Sequence, residues 1–139
     1  FAYTTVLDSD EILSEIIFLI PSGNSAGVYL KLERVAGDFA IAGAAVQMGL
    51  DRNGTCNTIG VGVTGGGTVP QKALAVESLL QRKNINPQLI DESGRLIQEG
   101  AEPIEDTRGS AAYKKKALGA ILRRALRTAL QRADARRHF

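Results

Sequence analysis

Apolar and polar positions fall into two regimes, dense short runs in the first half of the chain and helix-spaced stripes in the second. Glu11–Ile20 is apolar enough for a strand and ends at Pro21-Ser22-Gly23-Asn24-Ser25, a cluster of structure breakers. Ala26–Val35 combines aromatic and β-branched residues with a helical look, and periodicity leaves both assignments open. Phe39–Leu50 (FAIAGAAVQMGL) is apolar on both phases, which predicts a strand buried on both faces or flanked by helices. Asp51-Arg52-Asn53-Gly54 supplies a hairpin turn, because Asn-Gly tolerates positive φ at little cost, and Thr55–Val63 returns as the second strand. Gly65-Gly66-Gly67 ends that strand. Pro70 is expected to open a helix through about Arg82, with Ala73, Leu74, Val76, Leu79 and Leu80 as its stripe. Asn84–Gly100 predicts a shorter helix after Pro87, its apolar pairs Leu89, Ile90 and Leu96, Ile97 separated by Gly94, and Ser110–Ala133 a long amphipathic one. Strands first and helices later make the fold class α+β, a two-layer sandwich rather than alternating βαβ units.

Composition narrows the chemistry. The 139 residues are 44% apolar and 23% charged, enough for one ordinary core and inconsistent with disorder. Cys56 stands alone, so no disulfide framework exists within the chain, and one His with one Cys nearly excludes a metal site of those ligands. The apolar runs fall far short of a membrane span of about 20 residues. The first residue is Phe and no signal-peptide pattern follows, so the chain is expected to be part of something longer or a processed product, and cytoplasmic.

The net charge of +2 hides an asymmetry. Residues 1–107 hold seven Lys and Arg against fourteen Asp and Glu, whereas residues 108–139 hold ten against Asp134 alone. Such a tail is a candidate nucleic-acid footprint. With no aromatic interleaving beyond Tyr113 and Phe139, it reads better as a helix face pairing with the acidic remainder or with an acidic partner protein. No nucleic acid is therefore expected among the partners.

Gly60-Val61-Gly62-Val63-Thr64-Gly65 fits the G-x-G-x-x-G dinucleotide pattern. The preceding strand is a hairpin arm, Pro70 delays the helix, and no acidic residue closes a second strand about 20 positions on, so small residues for packing and a turn explain it better. Asn53-Gly54-Thr55 matches a glycosylation sequon but reads as the hairpin turn, and Cys56 as a small core residue. His138 lies at a frayed end, and no Ser-His-Asp or Cys-His arrangement can be built on it. Asp38, with Lys31 and Arg34 just upstream, is either a charged cluster or a solvated turn. By its own side chains the chain is not a self-sufficient enzyme.

Four segments, in order along nearly the whole chain, resemble one family. YTTVLDSDEILSEIIF is similar to the end of the flavin-binding domain in medium subunits of molybdenum hydroxylases, where a T-x-L-x-x-x-E-I-L-x-x-I pattern runs into the final strand. YLKLERVAGDFAIAGAAV (Tyr29–Val46) resembles the family's Y-x-K-x-x-R-x-x-x-D-F/Y-A segment, and TVPQKALAVESLL its T-P-x-R-A-x-x-x-E-x-x-L helix. EDTRGSAAYKKKALGAILRRAL resembles the D-x-R-G-S-x-x-Y ending, with Asp106, Arg108, Gly109, Tyr113, Arg123 and Arg124 in place. The family is that of the carbon monoxide dehydrogenase flavoprotein and its xanthine dehydrogenase relatives.

The resemblance implies three or four antiparallel strands covered by three helices. It divides the chain into residues 1–25, the end of the flavin domain with a connecting segment and first strand, and residues 26–139, the C-terminal domain. It implies an oxidoreductase complex in which a molybdenum cofactor in the large subunit oxidises substrate and 2Fe–2S clusters in the small subunit carry electrons. FAD, held mainly by an N-terminal flavin domain absent from this chain, passes them to an acceptor. Three positions carry over as flavin contacts: Leu13, at the place of a leucine packing by the flavin; Lys31, at that of a contacting lysine; and Phe39, at an aromatic that is Tyr in the carbon monoxide enzyme. A cation at Lys31 favours a reduced, anionic ring. Phe in place of Tyr keeps the face and loses the hydroxyl. The fragment alone is expected to be inactive and to bind FAD weakly. The alternative role is a non-catalytic assembly domain docking the flavin domain and partner subunits through its basic last helix.

Overall fold

The computed structural model describes residues 4–21 and 24–137. Ser22 and Gly23 of the breaker cluster, His138 and Phe139 lie outside the described residues. Four strands, β1 (Ser25–Leu32), β2 (Ala42–Leu50), β3 (Cys56–Thr64) and β4 (Gln71–Lys72), pair in chain order as an antiparallel meander. Three helices follow: α1 (Leu74–Leu80), α2 (Pro87–Gly100) and α3 (Ala111–Arg137). This is the α+β sandwich expected from the order of elements.

Strand register shows why one face of the sheet is the core. Val28, Val46 and Val61 stand side by side across β1, β2 and β3, as do Leu30, Ala44 and Val63. The period of two sends their neighbours Tyr29, Ala45 and Gly62, continued by Lys72 of β4, to the opposite face. α3 lies across β1 and β2, with Leu118, Leu122, Leu126 and Ala129 fully buried, α2 packs on α3, and α1 on β3 and α2. The turn of the β2–β3 hairpin is the expected one: Asp51 Oδ1 accepts from Asn53 N (2.8 Å) and Thr55 N (2.9 Å), and Gly54 has φ +81°.

The structure corrects four local expectations. β2 is apolar on both phases, yet only one face is covered by helices; on the outer face Gly43 is buried, whereas Ala45 and Gln47 are exposed. Ala26–Val35, open between strand and helix, resolves as β1 as far as Leu32, because its backbone pairs with β2 up to there. Pro70 does not open a helix. The chain first adds β4 to β3, Ala73 N still bonds to Val61 O at 2.8 Å, and α1 starts only at Leu74. Glu11–Ile20 is not a strand here: it runs without regular structure, with Ile12, Ile16, Ile17, Phe18, Leu19 and Ile20 all exposed. A strand needs a neighbour for its backbone, and an apolar run without one has the composition of a strand and no ladder.

The glycine pattern is structural in placement. Gly60 and Gly62 face open space on the outer sheet face, whereas Gly65 turns the chain at φ +81°, where a side chain would strike Ile41 O. Among the described residues no helix is long and apolar enough to cross a membrane.

Candidate functional site

The β1–β2 connection, residues 33–41, contains Phe39, one of the three expected contact positions, follows closely on Lys31 of β1, and is tied to the α2–α3 connection, residues 101–110. Its own turn closes with Asp38 N donating to Val35 O (3.1 Å) around Gly37 at φ +87°, and with Ile41 N donating to Leu32 O (2.8 Å). Asp38 is the hub. Its Oδ1 accepts from Phe39 N at 2.7 Å and faces Arg108 Nη2 at 3.4 Å, and its carbonyl accepts from Lys31 Nζ at 3.0 Å. The charged cluster suspected around Asp38 is therefore real, though its arginine partner comes from 70 residues away. The bond from Phe39 N, followed by the Arg108 guanidinium, holds the Asp38 carboxyl below its ordinary value of 3.8.

Lys31, next to last in β1, holds its ammonium between the Asp38 carbonyl and Glu33 Oε2, the latter at 2.5 Å. Glu33 raises the lysine above its ordinary 10.5, so its charge is permanent across the neutral range. Two of its three N–H groups are engaged, which leaves one for a ligand. Phe39 points outward and is 79% exposed, with the Arg108 guanidinium 5.4 Å from its ring centroid, within range of a cation–π contact.

The second connection is itself braced. Asp106 and Gly109 exchange backbone bonds (3.3 and 3.0 Å), Asp106 Oδ1 accepts from Arg108 N at 2.8 Å, and Lys114, buried at the start of α3, reaches Asp106 Oδ1 and Ile104 O, both at 2.7 Å. Lys114, then Arg108, hold the Asp106 carboxyl below 3.8. Ser110 Oγ accepts from Tyr113 N (3.2 Å) and caps α3. Arg34 Nη1 donates to Thr107 O at 3.2 Å, a second bridge between the two loops.

Lys31 and Phe39 are thus brought together through Asp38. Leu13 is not part of that cluster; it lies in the irregular amino-terminal segment, 62% exposed and outside the core. Arg108 had been noted only as a motif residue. The signal available for it was the D-x-R-G-S spacing itself, an aspartate positioned to bond the backbone two residues on, followed by a glycine that turns the chain.

The comparisons with known proteins follow the same outline. Residues 27–129 match the family described as the CO dehydrogenase flavoprotein C-terminal domain. The carbon monoxide dehydrogenase medium chain of Afipia carboxidovorans is 33% identical over 132 residues, 95% of this chain and 46% of that protein. The alpha subunit of the 6-hydroxypseudooxynicotine dehydrogenase complex of Paenarthrobacter nicotinovorans is 28% identical over 94% of this chain and 44% of its own length. Among solved structures, reconstituted CO dehydrogenase from Oligotropha carboxidovorans superposes with a TM-score of 0.77 at 31% identity, over 81% of this chain and 39% of that one. Quinoline 2-oxidoreductase from Pseudomonas putida 86 shares the fold at 24% identity and a TM-score of 0.72. The chain spans less than half the length of the relatives it matches. It belongs to the CO dehydrogenase flavoprotein C-terminal domain family, the C-terminal domain of an FAD-binding subunit.

Proposed function

We propose that this domain closes over the isoalloxazine ring of FAD in a molybdenum hydroxylase of the carbon monoxide dehydrogenase type and supports electron transfer from iron–sulfur clusters to an acceptor. FAD, when bound, supplies the electron acceptance and donation. The chain's part is to present a face, a charge and an edge. Phe39 offers an aromatic face, Lys31 a permanent cation with one N–H still to give, and Leu13 an exposed apolar side chain. These fit the edge of a flat, polar-rimmed ring. Residues 1–25 go with the flavin domain on this reading, which gives the exposed apolar run of residues 12–20 a surface to join. The molybdenum cofactor and 2Fe–2S clusters reside in partner subunits.

The observation that carries this reading is an exposed aromatic on a loop held at every turn. A surface loop free of function has no need of three cations and a carboxylate to show a phenylalanine to solvent. The test is Lys31→Met and Phe39→Ala in the FAD-bound subunit. Lys31→Met is expected to lower the flavin reduction potential and Phe39→Ala to change the flavin's visible spectrum. Unchanged flavin content, spectrum and potential in both leave the assembly role, which the exposed apolar run favours, as the better reading.

A further inference from the structure

Accepting that Phe39 meets the flavin, we infer that Arg108 is the residue that positions it. An exposed phenylalanine on a turn samples several rotamers on a picosecond to nanosecond timescale. Phe39 is fixed at two points. Its backbone N–H is held by Asp38 Oδ1 at 2.7 Å, and its ring rests 5.4 Å from the Arg108 guanidinium carbon. The two points share one source, because Arg108 Nη2 faces that same Asp38 oxygen at 3.4 Å. One guanidinium therefore orients the carboxylate that holds the backbone and provides the surface on which the ring lies.

Arg108 can do this because its own backbone is immobilised. It sits inside the Asp106–Gly109 turn, with its N–H on Asp106 Oδ1 and Asp106 in turn held by buried Lys114. Gly109 closes the turn at φ +151°, a conformation in which a side chain would be strained and would press on the Tyr113 ring. From that anchor the side chain reaches Asp38 while its guanidinium carbon stands 5.4 Å from the Phe39 ring centroid. A lysine has the charge but neither the plane nor the fork. The consequence for the flavin is geometric and electrostatic together: a ring held at one angle, backed by a positive charge.

The experiment uses the FAD-bound subunit with Arg108→Gln, Arg108→Lys, Phe39→Ala and the Arg108→Gln/Phe39→Ala pair. Flavin visible circular dichroism is read in the bound state, and amide hydrogen exchange across residues 34–41 after FAD is removed. Arg108→Gln is expected to shift the flavin spectrum in the same sense as Phe39→Ala, the pair to add nothing beyond Phe39→Ala, and Arg108→Lys not to restore it. Exchange at the Phe39 amide is expected to rise roughly tenfold in both Arg108 variants. Asp38→Asn, which keeps an acceptor for Phe39 N–H and loses the ion pair, carries the same test should Arg108→Gln fail to fold. A spectrum that moves in Phe39→Ala but not in Arg108→Gln overturns the positioning role, as does strict additivity in the pair. A silent Phe39→Ala removes the flavin contact itself and the proposal with it, an outcome distinct from failure of Arg108 alone.

Discussion

Cys56 lies fully buried in β3, and burial pushes its thiol up from 9.0 to about 11. It is therefore protonated at neutral pH and packed as a small hydrophobe, the role its strand position suggested. The expected outcome of alkylation is negligible labelling in the folded chain and complete labelling in denaturant. Because the folded value lies above the unfolded one, stability is undiminished by this group below pH 9.0 and declines as pH rises toward about 11. Glu77 falls on the glutamate of the T-P-x-R-A-x-x-x-E-x-x-L segment, but its role was not legible there, for a physical reason. Where two-residue β4 ends, Val61 N has no strand partner, and Glu77 Oε1, 16 residues away, accepts from it at 2.8 Å. Glu77→Ala strands a buried N–H and is expected to cost about 1–3 kcal/mol in urea denaturation, whereas Glu77→Gln keeps an acceptor and costs less. Glu33 matters for the opposite reason, since its carboxylate offsets Lys31. On the proposed function, Glu33→Gln is expected to raise the flavin potential while Lys31→Met lowers it, measured by redox titration of the bound subunit.

Between elements, what was legible tracks how local the cause is. The β2–β3 hairpin was readable because four consecutive residues, Asp51 to Gly54, contain the turn chemistry. α2 was readable because Asn86 caps it, its Oδ1 accepting from Leu89 N at 2.9 Å with Pro87 in the first turn. β4 was not, because a two-residue strand is defined only by the partner it finds. The clip between residues 33–41 and 101–110 was half legible. Lys31, Asp38 and Phe39 lie close in sequence, but the groups that hold them, Thr107 O and Arg108, arrive from another loop. The clip has a definite pH range. Asp38 and Asp106 are depressed in the folded state, so their contribution is present above their ordinary value of 3.8 and lost as pH falls through the lower folded values. Lys31 is raised, so its contribution is present below 10.5 and lost only above that. Exchange protection of the Phe39 amide is expected to be flat across the neutral range and to collapse only in acid below 3.8. A loss of protection between pH 5 and 7 contradicts this assignment.

At the scale of the molecule, the charge asymmetry of the sequence becomes an internal arrangement. Arg123 and Arg127 of α3 both meet Asp91 of α2, Arg132 donates to Gly27 O, Arg136 to Ser25 O, and Arg108 meets Asp38. The basic tail fastens α3 to the acidic part of the chain, with Lys116 and Arg124 left exposed. What the domain lacks for FAD follows from the same layout. A dinucleotide pyrophosphate is bound by backbone N–H groups at a helix start joined to a glycine loop. Here Gly60 and Gly62 lie flat on the outer sheet face, Gly65 turns the chain away, and the next helix begins at Leu74 with only seven residues and no side-chain cap. On the proposed function the chain offers a ring-edge contact without a phosphate cradle. Titrated alone with FAD, it is expected to bind weaker than about 100 μM, which corresponds to less than about 5.5 kcal/mol of binding free energy. Quenching of flavin fluorescence at micromolar concentrations contradicts that expectation. The same titration with riboflavin separates the two contributions, because it keeps the ring and omits the phosphates. Equal weak affinity for both is expected on the proposed function, in which this domain's contact is with the ring, through Lys31 and Phe39.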